Sequence, residues 1–357
     1  MNVEKVYTGR MNKALRGLFR NALSISLGSP SMAFFILKSI WRQKKAAALR
    51  RKWDEKGVQV PPYMILSVTG RCNLRCKGCY AHAQHRTEEK EMSSERLAGV
   101  IREAHELGIS VIMLAGGEPF VRPEILDITK NYPDIIFPLF TNGMLIDDDI
   151  IARLKEQKNV VPVISMEGYK EDTDGRRGEG VYQHIRDIAR KLKNNGIFYG
   201  TSLTVTRSNY PTVTDDSFLR GLADEGCRLF FFVEYVPFKE GTEDWVLTDS
   251  QRAELLELTG MLKSEIPALF IAFPGDEEKY GGCMSAGRGF VHISPNGSLE
   301  PCPFAPFSDS SILDIPLKQA LKSEFLKTIR NNHGQLVETS GGCALWEKRE
   351  WVQSLLS

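Results

Sequence analysis

Long hydrophobic runs are missing from this sequence. The longest apolar runs have only six residues, Met32 to Leu37 and Ala268 to Phe273. A membrane-spanning helix needs about 20 apolar residues, so neither run predicts a transmembrane segment. The N-terminus also lacks a hydrophobic stretch that ends in small residues, and we therefore expect no secretory signal peptide.

Cysteine is scarce as well, with seven among 357 residues. A disulfide scaffold would need more, and the odd number argues against complete pairing. Since no signal peptide is expected, we expect a cytoplasmic protein. Grouped thiols in that reducing compartment indicate a metal site. The composition, 42% hydrophobic and 25% charged, is that of a globular chain. Its length predicts about two domains.

The net charge of +1 conceals an uneven distribution. Residues 1–53 hold twelve Lys or Arg and one acid, whereas the remaining residues hold 34 bases and 44 acids. A basic segment on an acidic body predicts an anionic partner, either lipid head groups or nucleic acid. The apolar run from Met32 to Leu37 suits a bilayer interface better than a phosphate backbone, so we do not expect nucleic acid.

Residues 1–60 predict a basic, helical N-terminal arm, broken at Gly28, Ser29 and Pro30. Its apolar residues recur at spacings of three and four, at Met11, Leu15, Leu18, Phe19, Ala22 and Leu23. Two interpretations stay open. Either the arm lies on an anionic membrane, which would place the protein at the inner membrane face, or the apolar stripe packs on the rest of the chain and the bases remain solvated.

From Pro61 onward, short β-branched runs alternate with amphipathic helical patterns. The predicted strands are Met64–Val68, Val111–Ala115, Ile135–Phe140, Val160–Ser165, Tyr199–Val205 and Leu229–Tyr235. Strand–helix alternation predicts an α/β fold with a parallel sheet and right-handed crossovers. Six units fall short of the eight that close a barrel, so we expect a partial, TIM-like barrel over residues 61–273, with a doubly wound sheet as the alternative. In either fold the site lies at the carboxyl ends of the strands.

Three cysteines, Cys72, Cys76 and Cys79, follow the first predicted strand with the spacing C-x3-C-x2-C. Thiolates so close together on one loop can bind one iron–sulfur cluster. Three ligands on a four-iron cluster leave one iron open to another molecule. The alternative is zinc, although a structural zinc ion normally takes four protein ligands.

This loop resembles the cluster-binding loop of the radical S-adenosylmethionine (radical SAM) superfamily. In that family three cysteines hold a 4Fe–4S cluster, and the amino and carboxylate groups of S-adenosylmethionine chelate the fourth iron. The family often has an aromatic residue before the third cysteine, whereas this chain has Gly78 there and Tyr80 after it. The resemblance covers about residues 62 to 240.

Further segments follow the next strands in the family's order. The resemblance implies that S-adenosylmethionine is bound by Gly116, Gly117, Glu118, Pro119, Asn142, Ser165, Glu167, Arg177 and Thr206. Residues 116–119 resemble the GGEP segment, whose backbone holds the methionine amino group. Residues 165–168 resemble the S-x-D-G ribose motif, with Glu in place of Asp. Arg177 matches the arginine that pairs with the methionine carboxylate, with Arg176 as the alternative.

The resemblance also implies a mechanism. A low-potential donor of the ferredoxin or flavodoxin type reduces the cluster, the sulfonium C–S bond breaks, and a 5′-deoxyadenosyl radical takes a hydrogen atom from the substrate. The cofactor supplies this chemistry, while the protein positions and shields it.

A second set of cysteines, Cys283, Cys302 and Cys343, lies in residues 274–357, where the β/α pattern ends. The pattern Cys283-x13-Gly297-x4-Cys302 resembles the opening of the auxiliary-cluster extensions called SPASM and twitch. Full SPASM extensions carry seven cysteines in this region, so three resemble the shorter twitch form and imply a second 4Fe–4S cluster. A zinc site with one histidine, His292 or His333, is the alternative.

The sequence identifies no general base. Glu234 and Tyr235, at the end of the sixth predicted strand, are candidates for catalysis or substrate contact. Cys227 precedes that strand and is either a small buried residue or a hydrogen-atom donor. We therefore expect a radical SAM enzyme acting on a peptide or protein, or on a lipid or small molecule. The alternative is a non-catalytic iron–sulfur carrier or a zinc-stabilised binding protein.

Overall fold

One β-sheet organises the chain. The computed structural model describes residues 3–84, 90–273, 282–336 and 343–356, with side chains from residue 11. Within these ranges the sheet has nine strands in the order β7-β6-β5-β4-β3-β2-β1-β8-β9. The strands are β1 (Tyr63–Thr69), β2 (Val111–Gly116), β3 (Phe137–Thr141), β4 (Val160–Met166), β5 (Tyr199–Val205), β6 (Cys227–Glu234), β7 (Leu269–Phe273), β8 (Phe290–Ile293) and β9 (Leu299–Glu300).

The predicted α/β class with an open, parallel partial barrel is confirmed. Strands β1 to β7 are parallel neighbours in chain order, and β1–β6 correspond to the six predicted strands. The sheet is larger than predicted because the apolar run from Ala268 contains β7. In addition, β8 pairs in parallel with β1, and β9 folds back on β8. Residues 274–281 lie outside the described residues, so the predicted boundary between barrel and extension falls where the structure is not described.

Helices connect and cover the strands. They are α1 (Val3–Ile25), α2 (Pro30–Asp54), α3 (Tyr80–Ala83), α4 (Ser94–Leu107), α5 (Ile125–Lys130), α6 (Asp148–Glu156), α7 (Lys170–Arg177), α8 (Val181–Asn194), α9 (Tyr210–Val213), α10 (Asp216–Asp224), α11 (Asp249–Glu265), α12 (Leu317–Ala320), α13 (Glu324–Asn331), α14 (Ala344–Glu347) and α15 (Arg349–Ser354). Helix α4 is capped at both ends, since the Ser93 hydroxyl accepts a hydrogen bond from Arg96 N and Gly108 is left-handed.

The two faces of the sheet differ in how completely they are covered. Successive side chains of a strand point to opposite faces. In β1, Met64 and Leu66 are fully buried, whereas the alternating Tyr63 and Ile65 are only half-buried. The outer face thus packs in the core beneath the helices, and the inner face borders the open interior of the barrel.

The N-terminal arm is a hairpin of α1 and α2, with its turn at the predicted break. The α1 residues Leu15, Phe19 and Ala22 are buried in one cluster with Val161 and Leu229 from the barrel. This apolar stripe therefore packs against the barrel, as the second interpretation of the arm expects. No helix in the described ranges is long and apolar enough to cross a membrane.

Arg50, a buried residue of α2, connects the arm to the barrel. Its side chain is 1% exposed and donates to Asn12 Oδ1 and Gly108 O, both at 2.5 Å, and to Ser110 Oγ at 3.3 Å. Burial lowers the pKa of Arg50 to about 10. One of the twelve bases of residues 1–53 therefore connects the arm to the barrel and is not part of the basic surface.

Candidate active site

All six grouped cysteines line one cavity, of about 290 Å³, at the carboxyl ends of the strands. We call it the cysteine cavity. Cys72, Cys76 and Cys79 reach it from the loop after β1, and Cys283, Cys302 and Cys343 reach it from the C-terminal segment. The fold therefore brings the two predicted triplets to one space, although more than 200 residues separate them in sequence.

The first cysteine loop is held by contacts from other strand ends. Lys77 N donates to Arg176 O at 2.9 Å, and the Arg176 side chain donates back to Lys77 O at 3.1 Å. Gly78 has φ +67°, and a Cβ on it would lie 2.6 Å from the hydroxyl oxygen of Tyr235. Tyr235 thus covers the position where relatives often carry an aromatic residue, and this packing explains why the chain has glycine there.

The surroundings of the thiols suit an iron–sulfur cluster. All three first-triplet cysteines are half-buried. Burial raises the pKa of Cys72 to about 11 and also raises the pKa of Cys76, where Arg177 and Arg176 oppose the shift. Among the described residues, no three Cys, His, Asp or Glu side chains lie close enough to share one metal ion. A four-iron cluster, in contrast, binds each thiolate through a different iron, so its ligands border a cavity.

The GGEP segment, residues 116–119, is hydrogen-bonded to the start of the cysteine loop. Gly117 N donates to Thr69 O at 2.7 Å, and Glu118 N donates to Arg71 O at 2.9 Å. A Cβ on Gly117 would lie only 2.1 Å from Arg71 O, so the close approach requires glycine. Gly116 and Gly117 line the cavity, whereas Glu118 and Pro119 do not.

Glu118 connects the ends of β2 and β3. Its buried carboxylate accepts hydrogen bonds from Thr141 Oγ1 at 2.8 Å and from Asn142 N at 2.7 Å. Burial raises the pKa of Glu118, against these bonds. The Asn142 side chain lines the cavity, with its Nδ2 3.7 Å from Cys72 Sγ. Glu118 thus acts on the cavity by positioning Asn142.

Glu167 forms a buried ion pair with two arginines. Its side chain is 2% exposed, and its Oε2 accepts from Arg177 Nε at 2.5 Å. Its Oε1 accepts from Arg177 Nη2 at 2.8 Å and from Arg176 Nη1 at 2.5 Å. Burial opposes ionisation, but Arg177 and Arg176 hold the pKa of Glu167 below its usual value. Both arginines line the cavity and Glu167 does not.

The remaining predicted cofactor residues divide into two groups. Ser165 lines the cavity, and so do its neighbours Ser202 and Thr204 on β5, which sequence reasoning missed. Thr206 does not line it, and its hydroxyl donates to Asn209 Oδ1 at 3.0 Å. Asn209 was also missed. Its amide donates to Glu167 O at 2.8 Å and so fixes the end of β4.

The catalytic candidates differ in position. Glu234 lines the cavity and is buried, and its Oε2 accepts from Arg252 Nε at 2.9 Å. Burial raises the pKa of Glu234, although Arg252 opposes the shift. The Tyr235 hydroxyl donates to Thr242 Oγ1 at 2.9 Å, so it connects the end of β6 to the segment that follows this strand. Cys227 is the first residue of β6 rather than a residue before it, and it lies away from the cavity.

The second triplet is enclosed by the C-terminal segment. Cys283 and Cys302 are buried and Cys343 is half-buried. The Cys283 thiol lies 3.2 Å from Ser285 Oγ. His292 is fully buried, with its ring nitrogens at 2.8 Å from Ser67 Oγ and from Glu300 Oε2. This histidine therefore links β8 to β1 and β9.

An aromatic group joins the two cysteine segments. Tyr80, directly after Cys79, packs edge-on against Phe304 with ring centroids 5.4 Å apart. Phe238, after β6, lies 5.7 Å from Phe304 and 4.0 Å from Trp346. These ring contacts connect the first cysteine loop, the segment after β6 and the C-terminal segment.

Comparison with known proteins agrees with this geometry. Residues 66–222 match the family model "Radical SAM superfamily". The chain is 28% identical over 270 residues to GTP 3′,8-cyclase of Clostridium perfringens, covering 70% of this chain and 82% of that protein. It is 22% identical to AdoMet-dependent heme synthase of Methanosarcina barkeri, covering 81% and 89%. Streptococcus suis SuiB bound to precursor peptide SuiA has a similar fold, with TM-score 0.63, 16% identity, and coverage of 87% and 75%.

Proposed function

We propose that this chain is a radical SAM enzyme, which uses a 4Fe–4S cluster and S-adenosylmethionine and abstracts a hydrogen atom from a substrate held in the cysteine cavity. One observation carries the proposal: two cysteine triplets and the Arg176–Arg177 pair line a single cavity. The bound cofactors supply a 5′-deoxyadenosyl radical, and the protein supplies position and shielding.

The residues around the cavity have separate roles in this proposal. Cys72, Cys76 and Cys79 hold the cluster. The exposed backbone at Gly116 and Gly117 receives the methionine amino group, and Arg177 receives its carboxylate. Arg177 uses Nε and Nη2 on Glu167, so its other Nη remains for that carboxylate. A planar guanidinium already oriented by one carboxylate loses little freedom when it binds a second.

We propose that Cys283, Cys302 and Cys343 hold an auxiliary 4Fe–4S cluster. The supporting observation is that the three residues face the same cavity as the first triplet, so substrate bound there would lie between two clusters. A zinc site with one histidine remains the alternative occupant, but His292 is already bonded on both ring nitrogens. His333 has its Nδ1 2.7 Å from Arg330 O.

A triple alanine variant of this second triplet tests the auxiliary cluster. We expect iron to fall from about eight to about four atoms per chain, because each triplet holds one four-iron cluster. Basal cleavage of S-adenosylmethionine should remain, since the first loop is unchanged. Iron and zinc are counted by mass spectrometry after anaerobic reconstitution. One zinc and four iron in the unmodified chain would contradict the proposal.

The function itself is tested by substrate-dependent release of 5′-deoxyadenosine. The reconstituted chain is incubated anaerobically with S-adenosylmethionine, a reductant and either peptide or lipid fractions. We expect one fraction to raise 5′-deoxyadenosine above the basal level, with ferredoxin or flavodoxin able to replace dithionite. A non-catalytic iron–sulfur carrier or a zinc-stabilised binding protein would release none, which would overturn the proposal.

We also propose that the arm attaches to an anionic membrane, through a face other than the one that packs on the barrel. On α2, Phe34, Leu37 and Trp41 share one side of the helix and are 70%, 52% and 55% exposed. Lys38 and Lys45 lie on the same side, and Lys45 Nζ lies 3.6 Å from the centroid of the Trp41 ring. Aromatic residues flanked by lysines are typical of helices that lie in a bilayer interface.

The double variant Phe34→Ser/Trp41→Ser tests this attachment. We expect binding to anionic liposomes to weaken by at least tenfold, because burying two such rings contributes well over 1 kcal/mol. The matched control is Met261→Ser/Leu313→Ser, which removes two exposed apolar side chains elsewhere. Added salt should weaken wild-type binding as it screens the lysines. If the full chain ignores anionic liposomes at low salt, the proposal fails.

A further inference from the structure

A second cavity, of about 420 Å³, lies between the N-terminal arm and the lower part of the barrel interior. We call it the lower cavity. Its walls come from α1 and α2 on one side and from the inner face of the strands on the other. Both cavities are in the size range of pockets that bind small molecules. The chemistry assigned above uses only the cysteine cavity, so the lower cavity has no role in it.

The walls of the lower cavity are almost entirely hydrocarbon and aromatic. Five of the lining residues, Leu18, Phe35, Met113, Phe198 and Ile271, are only half-buried. On the outer side of the same sheet, Met64 and Leu66 are fully buried. Apolar surface left open inside a protein is unfavourable and indicates a binding site for an apolar partner.

The charged residues at this cavity are both cations. Lys158 and Lys263 line it, Lys263 being exposed and Lys158 half-buried. Within the described ranges no carboxylate lines it. A ligand with one anionic end and a long apolar body would complement this arrangement. A peptide or nucleotide would not, because its polar groups would lose water without gaining partners.

The two cavities are neighbours along the barrel axis. Five side chains line both: Ile65, Met113, Phe231, Phe273 and Phe290. These five side chains form a layer of apolar groups that the two cavities share. A flexible, unbranched chain that passes this layer would bring one of its C–H bonds into the cysteine cavity.

We infer that the lower cavity binds the hydrocarbon chain of an anionic amphiphile, with the head group at Lys158 and Lys263 and the chain directed toward the cysteine cavity. The substrate class is then a lipid with an unactivated C–H bond. The reaction at a C–H bond of this chain rests on the proposed function, whereas the binding of the chain in the lower cavity does not. The arm forms one wall of this cavity, so attachment of the arm to a membrane would place the cavity next to its lipid substrate.

The inference is tested by equilibrium binding of palmitate to the reconstituted full-length chain, measured by calorimetry without S-adenosylmethionine or reductant. We expect affinity to fall about fourfold for each methylene removed from the probe. Ala14 lines the lower cavity, so Ala14→Phe should weaken binding at least tenfold. Ala48, on α2, is half-buried and does not line the lower cavity, so Ala48→Phe is the matched control.

The head-group site needs a second comparison. Lys158→Glu/Lys263→Glu should weaken palmitate binding at least tenfold and leave binding of uncharged hexadecanol within about twofold. Lys155→Glu, at an exposed lysine outside the cavity, is the control. Phytanate and 1-palmitoyl lysophosphatidate replace palmitate in parallel titrations, to separate branched, phosphorylated and simple acyl sources of the same chemistry.

Two results would overturn the inference: no palmitate binding, or binding unchanged in both Ala14→Phe and a second cavity-filling variant, Val161→Phe. Iron content verifies that each variant is folded. Because no cofactor chemistry enters the measurement, its outcome is separate from that of the proposed function. A chain that binds palmitate but never releases 5′-deoxyadenosine would overturn the function alone.

Discussion

Replacing Cys76 with alanine is expected to abolish cleavage of S-adenosylmethionine. Cys76 is the middle cysteine of the first triplet, which we propose holds the cluster, and it lies beside Arg176 and Arg177, which favour its thiolate. Changing even the outer partners of metal ligands typically costs about 10–100-fold in affinity or activity. Loss of a ligand should therefore reduce 5′-deoxyadenosine by more than about 100-fold, measured by mass spectrometry under dithionite.

The matched control for this variant is Cys227→Ala. Cys227 is also a buried thiol, and burial raises its pKa to about 12, but it lies away from the cysteine cavity. We expect Cys227→Ala to keep its iron and its basal cleavage. Cys76→Ala should keep the four iron atoms assigned to the second triplet. Undiminished cleavage in Cys76→Ala would disprove the assignment of the first loop.

Glu167→Gln is expected to give the second large effect. The carboxylate is buried and bridges Arg176 and Arg177 at 2.5 Å from each. A neutral amide would leave two adjacent guanidinium groups without a counter-charge in a buried site. Breaking such an ion pair typically lowers the free energy of unfolding by about 3–5 kcal/mol. We expect about 3 kcal/mol, measured by denaturant unfolding, because glutamine still accepts hydrogen bonds.

The same substitution should weaken binding of S-adenosylmethionine by at least about tenfold, since Arg177 loses the group that orients it. Equilibrium dialysis of the folded variant measures this. Glu171→Gln is the matched control, because Glu171 lies on the same α7 segment but is exposed. A variant that binds S-adenosylmethionine as tightly as the unmodified chain would show that Glu167 does not position Arg177.

Local patterns in the sequence identified the two cysteine triplets that the fold brings to one cavity. The spacing of Cys72, Cys76 and Cys79 and the strand before them are local features, so they can be read without a structure. The role of Glu167 could not be read in this way. The resemblance assigned it to a ribose, while the fold pairs it with two arginines that are nine and ten residues further along. Which partner a buried carboxylate takes depends on packing that no short motif encodes.

The limits of the sequence are clearest where contacts are non-local. The hairpin of β8 and β9 is a local feature, but its pairing with β1 joins segments more than 200 residues apart. Arg50 was counted as a surface charge, because nothing nearby in sequence indicates its burial against Gly108. The lower cavity could not be predicted from the sequence either, since alternating apolar residues do not reveal whether the space between them is filled.

One measurement tests the central claim most directly: 5′-deoxyadenosine formed by the anaerobically reconstituted chain with S-adenosylmethionine and dithionite alone. The account predicts 5′-deoxyadenosine that requires dithionite, from a chain that carries two four-iron clusters, and none from Cys76→Ala. A fully iron-loaded chain that binds S-adenosylmethionine and releases no 5′-deoxyadenosine under these conditions would contradict it.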